Sequence, residues 1–334
     1  MTGDESGLIR ETSRRALLRN SLLVGAGAVA VGATSALGAD AASAASTRLG
    51  IKFGAMHDVY PHWVAKAPSP YGEYSERRYF DSHNFIPKDW AAMGCHSHYV
   101  TISIRPLPDY LLHNKTIRDN GSGYTTLDGQ IRHLLSTCPD HVELTSWHEA
   151  QSDNPLHYPK DITADSIRQI HQHMQQLCSK TRDASGGRVK YGCILTGPAG
   201  TNANWLGEKL DWYGIDIYAT KHLRDSHGRL SRDLIMKRMD GNLAAWRKAA
   251  KRRTVSVRIT ETNSADDADR KNWMQWLSEW MAANNGYRIV TFWGGPLSGH
   301  WPPSDTVLDY YSTLQRRYGA KGSAHPSSVL SRHA

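Results

Sequence analysis

LGIKFGAMHDVYPHW, residues 49–63, pairs a strand-like run, LGIKFG (49–54), with AMHDVYPHW (55–63). In an open, doubly wound sheet the first strand usually runs into a glycine-rich phosphate loop. Glycine lets the backbone approach a pyrophosphate there. No G-x-G-x-x-G follows this strand. The absence argues against a nucleotide cofactor and favours the other architecture that alternating strands and helices can build, a closed barrel.

Working outward, seven more strand-like runs follow: RRYFDS (77–82), YVTISIRP (99–106), VELTSWHE (142–149), VKYGCILT (189–196), DWYGIDIY (211–218), TVSVRITE (254–261) and RIVTFWGG (288–295). The second of the eight is the weakest. Helical patterns lie between them. Ile167, Ile170, Met174 and Leu177 keep one apolar face, as do Leu243 and Trp246. Trp273, Trp276, Leu277, Trp280 and Met281 repeat at helical spacing and read as helix-on-barrel packing. Asp165 and Asp266-Asp267 mark helix starts. Eight alternations in the space of one domain predict an α/β fold, a single (β/α)8 TIM barrel over residues 45–320, with 321–334 a loose tail.

The N-terminus reads as an address. Ser13-Arg14-Arg15-Ala16-Leu17-Leu18-Arg19 resembles a twin-arginine export motif, and a small-residue apolar stretch follows to Gly38. Two A-x-A sites place cleavage after Ala41 or Ala44, so residues 1–44 are set aside from the fold. The expected product is a secreted bacterial protein, exported folded, monomeric and without stable membrane insertion. Residues 1–44 hold four basic and four acidic side chains, so the formal charge of +8 stays with the rest of the chain. Such a balance suits anionic polymers or cell walls, or serves only solubility. The densest basic run, KAAKRR (248–253), falls at a predicted helix end, where cations suit the helix dipole, so no nucleic-acid partner is predicted. Cys95, Cys138, Cys178 and Cys193 form no C-x-x-C pair, which argues against zinc. Export permits disulfides; Cys138 and Cys178 could meet, or all four could be buried thiols.

The chemistry is expected where two strand-like runs close on glutamate, Glu149 in TSWHEA (145–150) and Glu261 in VSVRITE (255–261). In a (β/α)8 barrel the active site sits at the C-terminal ends of the strands, so both would face one mouth. Buried carboxylates are rare unless paired or useful. Two over one pocket suit cleavage of a glycosidic bond: one protonates the leaving oxygen, the other attacks the anomeric carbon or activates water. His148 would bond a substrate hydroxyl or orient the acid. Tyr218, closing the sixth run, would donate its hydroxyl to Glu261. Trp293, closing the eighth, would floor the sugar subsite. Trp147 is a further substrate contact, and His57, Asp58 and His62 would line the mouth. His148-Glu149 opens like H-E-x-x-H, but Ser152 stands where the second histidine belongs. His171 and His173, two apart on a helix, face different ways. No G-x-S-x-G is present. No metal and no cofactor are predicted.

These residues carry a resemblance. A fourth strand closing on W-H-E, a sixth with D-x-Y in GIDIY, a seventh closing on a lone glutamate and an eighth on F-W resemble the clan of retaining (β/α)8 glycoside hydrolases. The His-Glu pair and the Asp-x-Tyr element are most similar to family 26, that of β-mannanases and related endo-β-glucanases, as is SGYTTLDGQIRHLL (122–135) before the fourth strand. The resemblance spans residues 49–318 in layout, with close matches only in the short motifs. It implies Glu149 as acid/base, Glu261 as nucleophile, Asp216 as support from the sixth strand, and a polysaccharide or oligosaccharide substrate. Leu144-Thr145-Ser146-Trp147 and Ala150-Gln151 depart from the family's usual arginine before the pair and Met-Asn after it. Mannan specificity therefore does not follow. The expected function is a secreted retaining endo-β-glycanase on an unassigned glycan. The alternative is a barrel that binds a glycan or cell-wall polymer without cleaving it, and a third reading is another hydrolase on the same barrel.

Overall fold

The computed structural model describes residues 50–56, 59–67, 75–80, 86–97, 99–105, 108–139, 141–151, 162–197, 202–264, 267–283, 288–292 and 304–319. The expected export signal (1–44), the expected tail (321–334), His57, Asp58 and Trp293 lie outside the described residues.

Eight parallel strands form one closed barrel in chain order: β1 (Ile51–Met56), β2 (Ser75–Phe80), β3 (Tyr99–Ile104), β4 (His141–Ser146), β5 (Lys190–Thr196), β6 (Trp212–Tyr218), β7 (Ser256–Asn263) and β8 (Arg288–Phe292). The first and last close the ring, with Phe53 opposite Val290. The open-sheet competitor is thereby excluded. Around the barrel run α1 (Tyr60–Lys66), α2 (Pro108–His113), α3 (Leu127–Ser136), α4 (Ala164–Ser179), α5 (Arg232–Ala250), α6 (Asp267–Ala283) and α7 (Asp305–Tyr318). No helix among the described residues is long and apolar enough to cross a membrane.

Local chemistry sets the element ends. Thr163, not Asp165, caps α4: its hydroxyl accepts from Ser166 N while Ser166 reaches back to Thr163 N, a capping box that satisfies two otherwise orphaned donors. Asp165 sits in the first turn, where a negative charge suits the dipole. The tryptophan stripe of α6 packs as expected, with Trp273, Leu277 and Met281 fully buried. Helix α7 seals the seam at β1. Tyr311 packs edge-on to Phe53 and Trp63 and donates its hydroxyl to Gly54 O at 3.1 Å.

The barrel interior departs from the aliphatic layers usual in this fold. On β4 and β7, Glu143 and Arg258 meet across the lumen at 2.7 Å, both essentially buried, with Tyr99 of β3 donating a further bond to Glu143 at 2.7 Å. The Arg258 guanidinium lies over the indole of Trp212, which fills space that glycine leaves free on β5: a Cβ at Gly192 would stand 2.1 Å from the ring. Trp212 is thus a packing residue. All four cysteines are free thiols, three of them buried, so Cys138 and Cys178 are not joined.

Candidate active site

Strand β4 ends at Ser146, three residues short of the expected Glu149. The next residues turn sharply. Trp147 (φ 52°) and Glu149 (φ 56°) both occupy the left-handed region, which costs a non-glycine residue on the order of 1 kcal/mol or more. Their surroundings hold them there. Trp147 N donates to Ile104 O at 2.9 Å and Glu149 N to Ile194 O at 3.1 Å, tying the turn to both neighbouring strands. Below it runs a buried polar chain: Ser146 Oγ meets Tyr191 Oη at 2.5 Å, and Tyr191 Oη meets His171 Nδ1 at 2.8 Å. Burial pushes His171 down to about 3, so it is neutral. His148 faces Arg105, just past β3, with Nη2 3.1 Å from Nε2. A guanidinium only donates, so Nε2 accepts and the His148 proton sits on Nδ1.

Glu261 reaches the site through a bulge. Ile215 pairs with Ile259 and Asp216 with Glu261, which leaves Thr260 as the extra residue of β7. Strict alternation would send Thr260 and Glu261 to opposite faces; the bulge lets both serve the interior. Thr260 Oγ1 donates to Asp216 Oδ1 at 2.6 Å. Both oxygens of Glu261 are held: Arg77 Nη1 of β2 lies 2.7 Å from Oε1, and the Tyr218 hydroxyl donates to Oε2 at 2.6 Å. Arg77 is fully buried and also bonds Asp216 Oδ1 at 3.1 Å and Thr260 O at 3.0 Å.

One buried guanidinium therefore answers several acids. Burial alone would lower the Arg77 pKa, but Asp216 and Glu261 outweigh it and the group stays charged. Burial pushes Glu149 up to about 7; the charge of Glu261 adds to the rise, while Arg77, Arg105 and a bond to Thr196 oppose it. Asp216 is also raised, by burial first, against the pull of Arg77 and with a further push from Glu261. Burial and then Glu261 hold Tyr218 well above the usual phenol range, so it remains a donor. Glu261 is the carboxyl that receives both a guanidinium and a phenol hydrogen bond.

His148, Asp216 and Glu261 offer atoms within 4.8 Å of one another, close enough for a metal ion. The Arg77 guanidinium already bonds both carboxylates there and supplies the positive charge a cation would bring.

The structure thus gathers Glu149, Glu261, His148, Tyr218 and Asp216 at one end of the barrel. Trp147 is corrected: its side chain is fully buried, so it packs under the turn and offers no face to a sugar. His57 and Trp293 lie outside the described residues. Sequence reasoning missed Arg77 and Arg105. Their signal was an arginine within or just after a strand-like run, a placement that demands a buried partner.

No protein-family model and no curated protein sequence matches the chain. Solved structures do. The catalytic domain of the GH26 endo-beta-1,4-mannanase of Bacillus sp. JAMB-750 superposes with a TM-score of 0.51 at 14% identity, over 81% of this chain and 87% of that one. A GH26 beta-mannanase from Bacteroides ovatus gives 0.51 at 11% identity, over 82% and 91%. GH26C from Muricauda sp. MAR_2010_75 gives 0.50 at 11% identity, over 81% and 87%. At such identities the likeness is one of fold. The chain is a (β/α)8 barrel structurally similar to glycoside hydrolase family 26 β-mannanases and far diverged from them in sequence.

Proposed function

We propose that the protein is an exported glycoside hydrolase that cleaves β-glycosidic bonds of a polysaccharide with retention of configuration. The observation that carries this reading is the contrast between two acids that feel each other's charge. Arg77 and Tyr218 hold both oxygens of Glu261, while burial and the charge of Glu261 lift Glu149 to about 7, so a large share of it still carries its proton near neutral pH. The carboxyl with the raised pKa suits the proton donor, and the one held through both oxygens suits the nucleophile.

In the first step a Glu261 oxygen attacks the anomeric carbon. The bond to the leaving oxygen breaks, and Glu149 gives that oxygen its proton. Arg77 and Tyr218 fix the direction of attack. Once Glu261 is esterified its negative charge is gone, and with it one cause of the raised Glu149 pKa. Glu149, left ionised by that proton transfer, takes a proton from water as the water oxygen attacks the anomeric carbon and the ester bond breaks, which frees the Glu261 carboxylate. Asp216 holds Arg77 and Thr260 in register beneath. The barrel likeness to family 26 β-mannanases supports a carbohydrate substrate; the departures around Glu149 leave the sugar unassigned. The twin-arginine-like segment supports export and action outside the cell.

The test follows the first-formed anomer by proton NMR during digestion of β-linked polysaccharides. A β-anomer is expected, and Glu261→Gln should lower kcat roughly a thousandfold or more while far-UV circular dichroism is unchanged. An α-anomer would replace retention with inversion. Tight glycan binding without turnover by the unmodified protein would sink the hydrolase reading and leave a binding barrel.

A further inference from the structure

Away from the barrel mouth, a surface groove of about 500 Å³ runs along α3 to the end of α4. Its size falls within the roughly 300–1,000 Å³ span of small-ligand clefts. Gly129, Arg132, His133 and Ser136, at the spacing of one helix face, form one wall, and Lys180 to Arg182 form the other. None of its lining residues belongs to the catalytic cluster.

Its chemistry is one-sided. Arg132, Lys180 and Arg182 bring three cations and, among the described residues, none is paired with a carboxylate. The acids nearest in sequence are engaged elsewhere: Asp128 Oδ1 meets His173 Nε2 at 2.9 Å, and Asp183 Oδ1 accepts from Gly187 N and Ser185 Oγ, both at 2.7 Å. Beside the cations stands an exposed ring. Tyr124, 48% exposed, leans on His133 with ring centres 5.3 Å apart. It is one of only two large hydrophobic side chains exposed among the described residues. An aromatic face beside hydroxyls suits the C–H face of a sugar ring, and unpaired cations demand anions.

We propose that this groove binds a segment of an acidic polysaccharide, its carboxylate-bearing sugars seated between the three cations and the Tyr124 ring. The site is separate from the catalytic mouth and would hold the enzyme on charged matrix polymers. It stands independently of the hydrolase reading, because binding is measured without turnover.

The full chain is run in native gels containing polygalacturonate, neutral galactomannan or inorganic polyphosphate. Polygalacturonate should retard it. Replacing Arg132, Lys180 and Arg182 together by glutamine should weaken that affinity by about tenfold or more, and Tyr124→Ala, which leaves the charge intact, by several-fold. All four side chains are on the surface, and thermal melts check that the variants fold. No retardation by polygalacturonate, or retardation that survives the triple replacement, overturns the proposal. Equal retardation by polyphosphate, unchanged in Tyr124→Ala, also overturns it, because the groove would then be a general anion surface.

Discussion

Glu149 shows how much of a residue's role is set by its neighbours. A free glutamic acid is ionised at neutral pH; burial and the facing charge of Glu261 bring this one to about 7. In the proposed general-acid role Glu149 must carry its proton to act, so kcat/KM should fall as pH rises through about 7. In Glu149→Gln that alkaline limb should disappear. Substrates with poor leaving groups should slow far more than activated aryl glycosides, and equal losses on both would remove the acid/base assignment. The same shift sets a stability slope. The folded carboxyl holds its proton more tightly than the unfolded chain does, so between 4.5 and about 7 the fold loses stability as pH rises. Position alone announced Glu149, Glu261 and Tyr218, since each lies at or near the end of a strand-like run. Arg77 signalled only that a buried partner was needed and not which one, because Asp216 stands 139 residues away.

At the level of elements, the strands were legible wherever their apolar pattern was continuous. β2 was the weakest because its buried positions include Glu76 and Arg77, which read as surface residues until their partners are known. β4 stops three residues before Glu149, where Trp147 and Glu149 take left-handed conformations that no glycine or asparagine advertises. The bulge at Thr260 was equally hidden, because a bulge is a relation between two strands. Packing between elements yields a sharper test. Gly192 on β5 makes room for Trp212 on β6, and an added Cβ would lie 2.1 Å from the indole. Gly192→Ala should cost about 1–3 kcal/mol or more through overpacking, read as a lower urea midpoint at unchanged slope. A midpoint equal to that of the unmodified protein would mean the indole is free to move aside.

For the whole molecule, the ring of strands is braced from inside. Glu143 and Arg258 join β4 to β7 across the lumen, and Arg77 of β2 reaches Asp216 of β6 and Glu261 of β7 nearer the mouth. Removing one member of a buried pair strands the other's charge. Glu143→Leu should therefore cost about 3–5 kcal/mol, and the double variant Glu143→Leu with Arg258→Met should recover much of it. Denaturant melts of the four proteins decide this, and a single-variant cost below about 1 kcal/mol would show that the pair braces nothing. By itself the sequence determined the alternation of strands and helices, the number of strands and the ends on which acids could stand, because periodicity and strand order are local properties of the chain. Only the tertiary structure decided which polar side chains meet. Contacts between residues 115 and 139 positions apart are set by closure, register and the bulge, and no local pattern encodes those.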